Sequence, residues 1–131
     1  MTLEYSANLR AEGRFGELCR ELARYMTALR IDGAVVFPPG GVRVRAIACE
    51  DYCIADGTLN DAGFVHAIVK VGAGRSEAAR HATSTGLFDI MKAHFARQFA
   101  AHGLALSLEL SEFTEAGTLK HNNLHARFKK S

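Results

Sequence analysis

The chain lacks the features that mark several familiar protein classes. Its three cysteines, Cys19, Cys49 and Cys53, are an odd set with no CxxC pair. Cys49 and Cys53 stand four apart with no His or Cys partner close in sequence. A disulfide framework and a zinc ribbon are therefore not indicated, and free thiols in a reducing compartment are expected. Net charge is only +2 over 131 residues. The basic residues are scattered apart from the Lys129-Lys130 tail, and aromatics do not interleave with them, which argues against a nucleic-acid partner. No apolar run approaches the ~20 residues that span a bilayer. The N-terminus carries Thr2, Glu4 and Tyr5 where a signal peptide would carry a basic and then an apolar region. With 48% apolar and 23% charged residues and no low-complexity segment, disorder is not expected either. The expectation is one soluble, cytoplasmic domain over residues 1–131, with no membrane partner.

Proline is also scarce. It occurs twice, as Pro38-Pro39, and with Gly40-Gly41 it makes a sharp break. Before it, Thr2 to Ser6 alternates as a strand with Leu3 and Tyr5 inward. Phe15, Leu18, Cys19, Leu22, Met26 and Leu29 then recur at helical spacing, predicting a helix from Arg14 to about Leu29. After the break, Val42 to Cys49 alternates, with Val42, Val44, Ala46 and Ala48 on one face and Arg43, Arg45 and Ile47 on the other. Turns at Asp56-Gly57 and Asn60-Asp61 lead into a repeat of the pattern. Phe64 to Val71 reads as a strand. Leu87, Phe88, Met91, Phe95 and Phe99 mark a core stripe on a helix from about Glu77 to Ala101, with Gly103 at the C-cap position. Leu104 to Phe113 alternates again, with Leu106, Leu108 and Leu110 inward.

The chain thus reads as α+β. Two tandem βαβ halves, 1–57 and 58–113, precede a tail, 114–131. Each half holds parallel strands with a crossover helix, and together they form one four-stranded mixed sheet with two helices on a single face. The other face carries Arg43, Arg45, Ile47, His66 and Ile68. That mixture is too apolar for comfortable solvation and too charged for a core, which predicts self-association with a site where subunits meet.

Between the second strong strand and its helix lies Gly72-Ala73-Gly74-Arg75-Ser76. The glycines permit a sharp turn and close approach of a ligand. Ser76 suits an N-cap, the first helical N–H groups favour an anion, and Arg75 adds a planar charged fork. The plain alternative is a tight βα turn with a surface arginine. The segment lacks the further glycine and lysine of a dinucleotide or P-loop site. Ser76 has no nucleophile-elbow context. His121, Asn122, Asn123 and His125 form a polar cluster without the third ligand a metal would need, and fixing the tail or capping a neighbour is the expected role. No cofactor is implied.

Phe64-Val65-His66 and Lys70-Val71-Gly72-Ala73-Gly74-Arg75-Ser76 resemble the central block of the 5-carboxymethyl-2-hydroxymuconate Δ-isomerase family. The resemblance extends to Leu87-Phe88, Lys92-Ala93-His94-Phe95, Ala105-Leu106-Ser107 and the ending Leu119-Lys120-His121-Asn122-Asn123-Leu124-His125-Ala126. Ser6, Asn8, Gly41, Arg43, Arg45, Ala55, Asp56 and Gly57 also fall in register. The family belongs to the tautomerase superfamily, whose members are homotrimers of double βαβ subunits. It implies a cofactor-free dienol-to-enone isomerisation of a tricarboxylate formed by ring cleavage of homoprotocatechuate. It further implies that Arg43 and Arg75 supply the cations, with Arg45 and Asn123 as further substrate contacts.

In that family the base is an amino-terminal proline, and the present sequence does not carry one. Register places Thr2 about three residues downstream of it. At ~3.3 Å per residue a Thr2 amine would stand roughly 10 Å short of the catalytic position and a Met1 amine roughly 7 Å short. Three explanations stay open at the level of sequence. The first is a start further upstream, the second a trimeric dicarboxylate binder without turnover, and the third another base such as His66.

Overall fold

The computed structural model describes residues 1–129. Alternating apolar side chains generate strands β1 (Thr2–Ser6), β4 (Arg45–Cys49), β5 (Gly63–Gly72) and β6 (Leu104–Phe113). They form one sheet in the order β4-β1-β5-β6. β1 runs parallel to β4, β5 runs parallel to β6, and β1 meets β5 antiparallel. The expected doubled βαβ sheet is therefore present, with the halves joined through their first strands. A short hairpin, β2 (Arg30–Ile31) with β3 (Ala34–Val35), follows the first helix and has no clear signal in the sequence.

The helices cover one sheet face. α1 (Phe15–Ala28) buries Phe15, Leu18, Leu22 and Met26, and α2 (Glu77–His94) buries Ala79, Thr83, Leu87 and Met91. Of these, the α1 side chains with Leu87 and Met91 meet Leu3, Tyr5, Val65, Ala67, Val69 and Val71 from the sheet in a single core. Tyr5 stacks on Phe15 at 3.7 Å between centroids, which ties the first strand to the first helix. Where α1 and α2 meet, Tyr25 lies over Gly86 and donates its hydroxyl to the Ala82 carbonyl at 2.7 Å. Buried Ser6 fastens the halves together by accepting the Phe64 N–H at 3.0 Å.

Three expectations need correction. The second helix is not continuous to Ala101. It breaks at Phe95 and resumes as α3 (Ala96–Ala101). After the break Gln98, not Phe99, turns inward and donates to the Glu12 carbonyl, while Phe99 is 62% exposed and leaves the core stripe. Gly103 does not act as a left-handed cap, because His102 ends α3 and the glycines with positive φ are Gly33, Gly57 and Gly74. β4 begins at Arg45 and not at Val42. Its ladder stops where its partner β1 runs out, with Arg45 N–H bonded to the Met1 carbonyl and the Met1 amine to the Arg43 carbonyl. No helix among the described residues is long and apolar enough to cross a membrane. The tail ends in α4 (Leu124–Lys129), which packs on the 3-10 turn Pro39–Gly41.

Candidate active site

The end of β5 forms the anticipated turn. Gly74 takes φ +109, a conformation that L side chains rarely adopt. Ser76 caps α2 by accepting the Ala79 N–H at 3.1 Å. Arg75 is half-buried and already engaged. Its Nε and Nη2 both donate to the Val36 carbonyl, at 3.2 and 3.1 Å, and its Nη1 donates to the Gly72 carbonyl at 3.0 Å. The guanidinium also lies over the buried Phe37 ring, 4.6 Å from its centroid. A guanidinium has five N–H donors, so these contacts leave one N–H on each terminal nitrogen. Arg75 is thus a staple for the segment that follows β3, with two of its five N–H groups not used by these contacts.

That segment, residues 36 to 43, is a strap that ends in Arg43. It is pinned at Val36 by Arg75, at Gly40 by the C-terminal tail, and at the Arg43 carbonyl by the Met1 amine at 2.9 Å. The Arg43 side chain is exposed, with a long bond of 3.5 Å from Nη1 to the Gly40 carbonyl. Burial, then the charges of Arg45 and Arg43, hold the Met1 amine below its ordinary value of 8.0. Because β1 and β5 are antiparallel while β1 and β4 are parallel, the start of β1, the approach to β4 and the end of β5 fall at one end of the sheet. Arg43 and Arg75 are brought to that same end.

Arg45 is exposed on the uncovered face opposite Thr2. Asn123 is exposed on the tail, and its neighbour Asn122 is the residue that bonds to the strap. His66 is not brought to the arginines. It sits mid-strand opposite Glu4, six residues before Gly72, with Nδ1 2.7 Å from the Ser107 hydroxyl and Nε2 3.9 Å from the Glu109 carboxylate. Six strand residues correspond to roughly 20 Å, so it does not stand as a base beside the arginines of its own chain. Sequence reasoning missed the carbonyls of Val36 and Gly40 and the Phe37 ring, whereas the expected tail-fixing role of the polar block is met by Asn122, which donates to the Gly40 carbonyl. The Pro-Pro-Gly-Gly break and the polar tail block were the available signals. Among the described residues no group of three or more His, Cys, Asp or Glu converges to hold a metal ion. A groove of about 400 Å³ between α2 and β6, lined by Ser84, Thr85, Phe88, Ser107 and Leu108, contains none of the arginines. A site completed by a neighbouring subunit would not be concave in one chain.

A family model for 5-carboxymethyl-2-hydroxymuconate isomerase matches residues 1–128. The chain belongs to the 5-carboxymethyl-2-hydroxymuconate isomerase family. The 5-carboxymethyl-2-hydroxymuconate Δ-isomerase of Escherichia coli is 36% identical over 127 residues, covering 97% of this chain and 96% of the relative. The crystal structure of a 5-carboxymethyl-2-hydroxymuconate isomerase from Deinococcus radiodurans R1 superposes with TM-score 0.89 at 46% identity, covering 97% of this chain and 91% of that one. A second 5-carboxymethyl-2-hydroxymuconate Δ-isomerase structure gives TM-score 0.89 at 33% identity, covering 99% and 92%. The expected fold and the isomerase family are both confirmed.

Proposed function

We propose that this member of the 5-carboxymethyl-2-hydroxymuconate isomerase family converts a carboxylate-rich dienol into its conjugated enone, without a cofactor. One proton leaves the enol oxygen for a base and returns to carbon, and the double bonds shift by one position. Arg43 and the remaining donors of Arg75 hold carboxylates and the developing enolate charge, with Arg45 and Asn123 completing the contacts. The carrying observation is the convergence of Arg43, Arg75 and the start of β1 at one end of the sheet. The bare sheet face, with Ile47 49% exposed, supports assembly as a homotrimer that would complete the site. No observation favours a binder without turnover.

Register suggests where the base would stand. Each step back along β1 is a step forward along β5, so a residue three places before Thr2 would face Val71, beside the glycine turn. Ultraviolet monitoring of dienol loss tests this. The chain extended by Met, Pro and one further residue, so that proline stands three places before Thr2, is expected to turn over, and its Pro→Ala counterpart to lose that turnover. Absence of conversion by the proline-bearing chain would reject the activity.

A further inference from the structure

The Gly40 carbonyl lies where the C-terminal tail meets the strap. It accepts Asn122 Nδ2 at 2.9 Å and Arg43 Nη1 at 3.5 Å. The Asn122 amide is fixed at both ends, because its Oδ1 accepts the Leu124 N–H at 2.7 Å at the start of α4. That contact assigns oxygen to the helix and nitrogen to Gly40 with no room for a flip. The seat is also closely fitted. A Cβ at Gly40 would come within 2.6 Å of the His125 nitrogen and 2.9 Å of its Cα, so a residue with a side chain there would drive the tail off by collision with backbone.

We propose that Asn122 is a positioning residue for carboxylate binding, docking the C-terminal tail on Gly40 and so fixing the carbonyl that orients Arg43. The tail then belongs to the site without touching substrate through Asn122. The strap carries no regular ladder of its own between Val36 and Arg43, and the tail supplies the hold that a strand neighbour would otherwise give. This rests on the reading of Arg43 as a carboxylate contact.

The test is calorimetric binding of cis,cis-muconate, a conjugated dicarboxylate, to the full chain and to four variants with a double-mutant cycle. Arg43→Ala is expected to weaken binding about 10- to 150-fold, the range for a hydrogen bond to a charged group. Asn122→Ala is expected to weaken it about 3- to 10-fold, in the range of one ordinary hydrogen bond, and to add nothing once Arg43 is alanine. Gly40→Ala should give a similar loss by displacing the tail although neither the Asn122 nor the Arg43 side chain is removed. Should Asn122→Ala fail to fold, Asn122→Ser keeps an acceptor for Leu124 but is too short to bridge to Gly40 as well. Unchanged affinity in the Asn122 variants, or a loss that adds fully to that of Arg43→Ala, overturns the positioning role while leaving the arginine reading intact. Unchanged affinity in Arg43→Ala overturns both.

Discussion

The two halves of the molecule set their arginines by different means. In the second half, a ten-residue strand, a left-handed glycine and a capped helix place Arg75 within four residues of the strand end. In the first half, strand and helix are separated by the hairpin and the strap, and Arg43 is held by contacts from Met1, 42 residues earlier, and through Gly40 from Asn122, 82 residues from that glycine. One arginine is placed by local chain geometry and the other by distant pieces of chain. The local arginine spends much of its fork on structure, whereas the distant one leaves its side chain exposed.

The largest expected effect tests whether the halves share one core despite that difference. Leu22 from α1 and Leu87 from α2 are both fully buried. Truncating either to Ala should cost about 2–5 kcal/mol by chemical denaturation. A cost below about 1 kcal/mol on one side only would show that half to be dispensable for folding. The arginines come next. Arg75→Ala removes three hydrogen bonds and a ring contact, so it should lower stability by about 1–3 kcal/mol as well as weaken dicarboxylate binding. Arg43→Ala should leave stability within about 0.5 kcal/mol while weakening the same binding. Equal melting temperatures for the two variants would erase the distinction.

The same contrast decides what was legible in the sequence. The second-half turn reads directly from Gly72 to Ser76, because two glycines, a cap and a charge stand within five residues, whereas the engagement of Arg75 with the Val36 carbonyl has no local signal. The four strands of the main sheet, apart from the start of β4, and α1 are also legible, since Leu3, Tyr5, Val65, Leu18 and Leu22 keep the periods of a strand and a helix. The break at Phe95 is not. Ala96 to Ala101 continues to favour helix, and it is the tertiary bond from Gln98 to the Glu12 carbonyl that selects Gln98 for the inside and leaves Phe99 outside. Asn122 is likewise invisible as a partner of Gly40. Nothing local distinguishes it from Asn123, and the selection comes from the docking of α4 on the strap.

The helix starts carry a smaller difference. α2 opens on a capping serine, whereas α1 opens on Arg14 with φ 47 and no side-chain cap. Ser76→Ala should therefore cost about 1 kcal/mol. Arg14→Gly should gain up to about 1 kcal/mol by relieving a left-handed conformation, less the small worth of the exposed pair with Glu17. Thermal melts in opposite directions would confirm the asymmetry, and a loss in both would remove it.

The smallest effect belongs to the first half alone. The half-buried Met1 amine titrates below 8.0, first because of burial and then because of Arg45 and Arg43, with Cys19 acting in the opposite direction. In the window between that lowered value and 8.0 the unfolded chain binds more protons than the folded one, so stability should rise with pH through the window. It should be lost as pH falls through the folded value. Acetylating the amine removes the titration and should flatten this slope. Chemical denaturation of free and acetylated protein across roughly pH 6 to 9, which brackets an ordinary α-amine, reads the difference. Parallel curves for the two forms would mean that neither burial nor the arginines shift the amine, and that folding of the first half is not coupled to its titration.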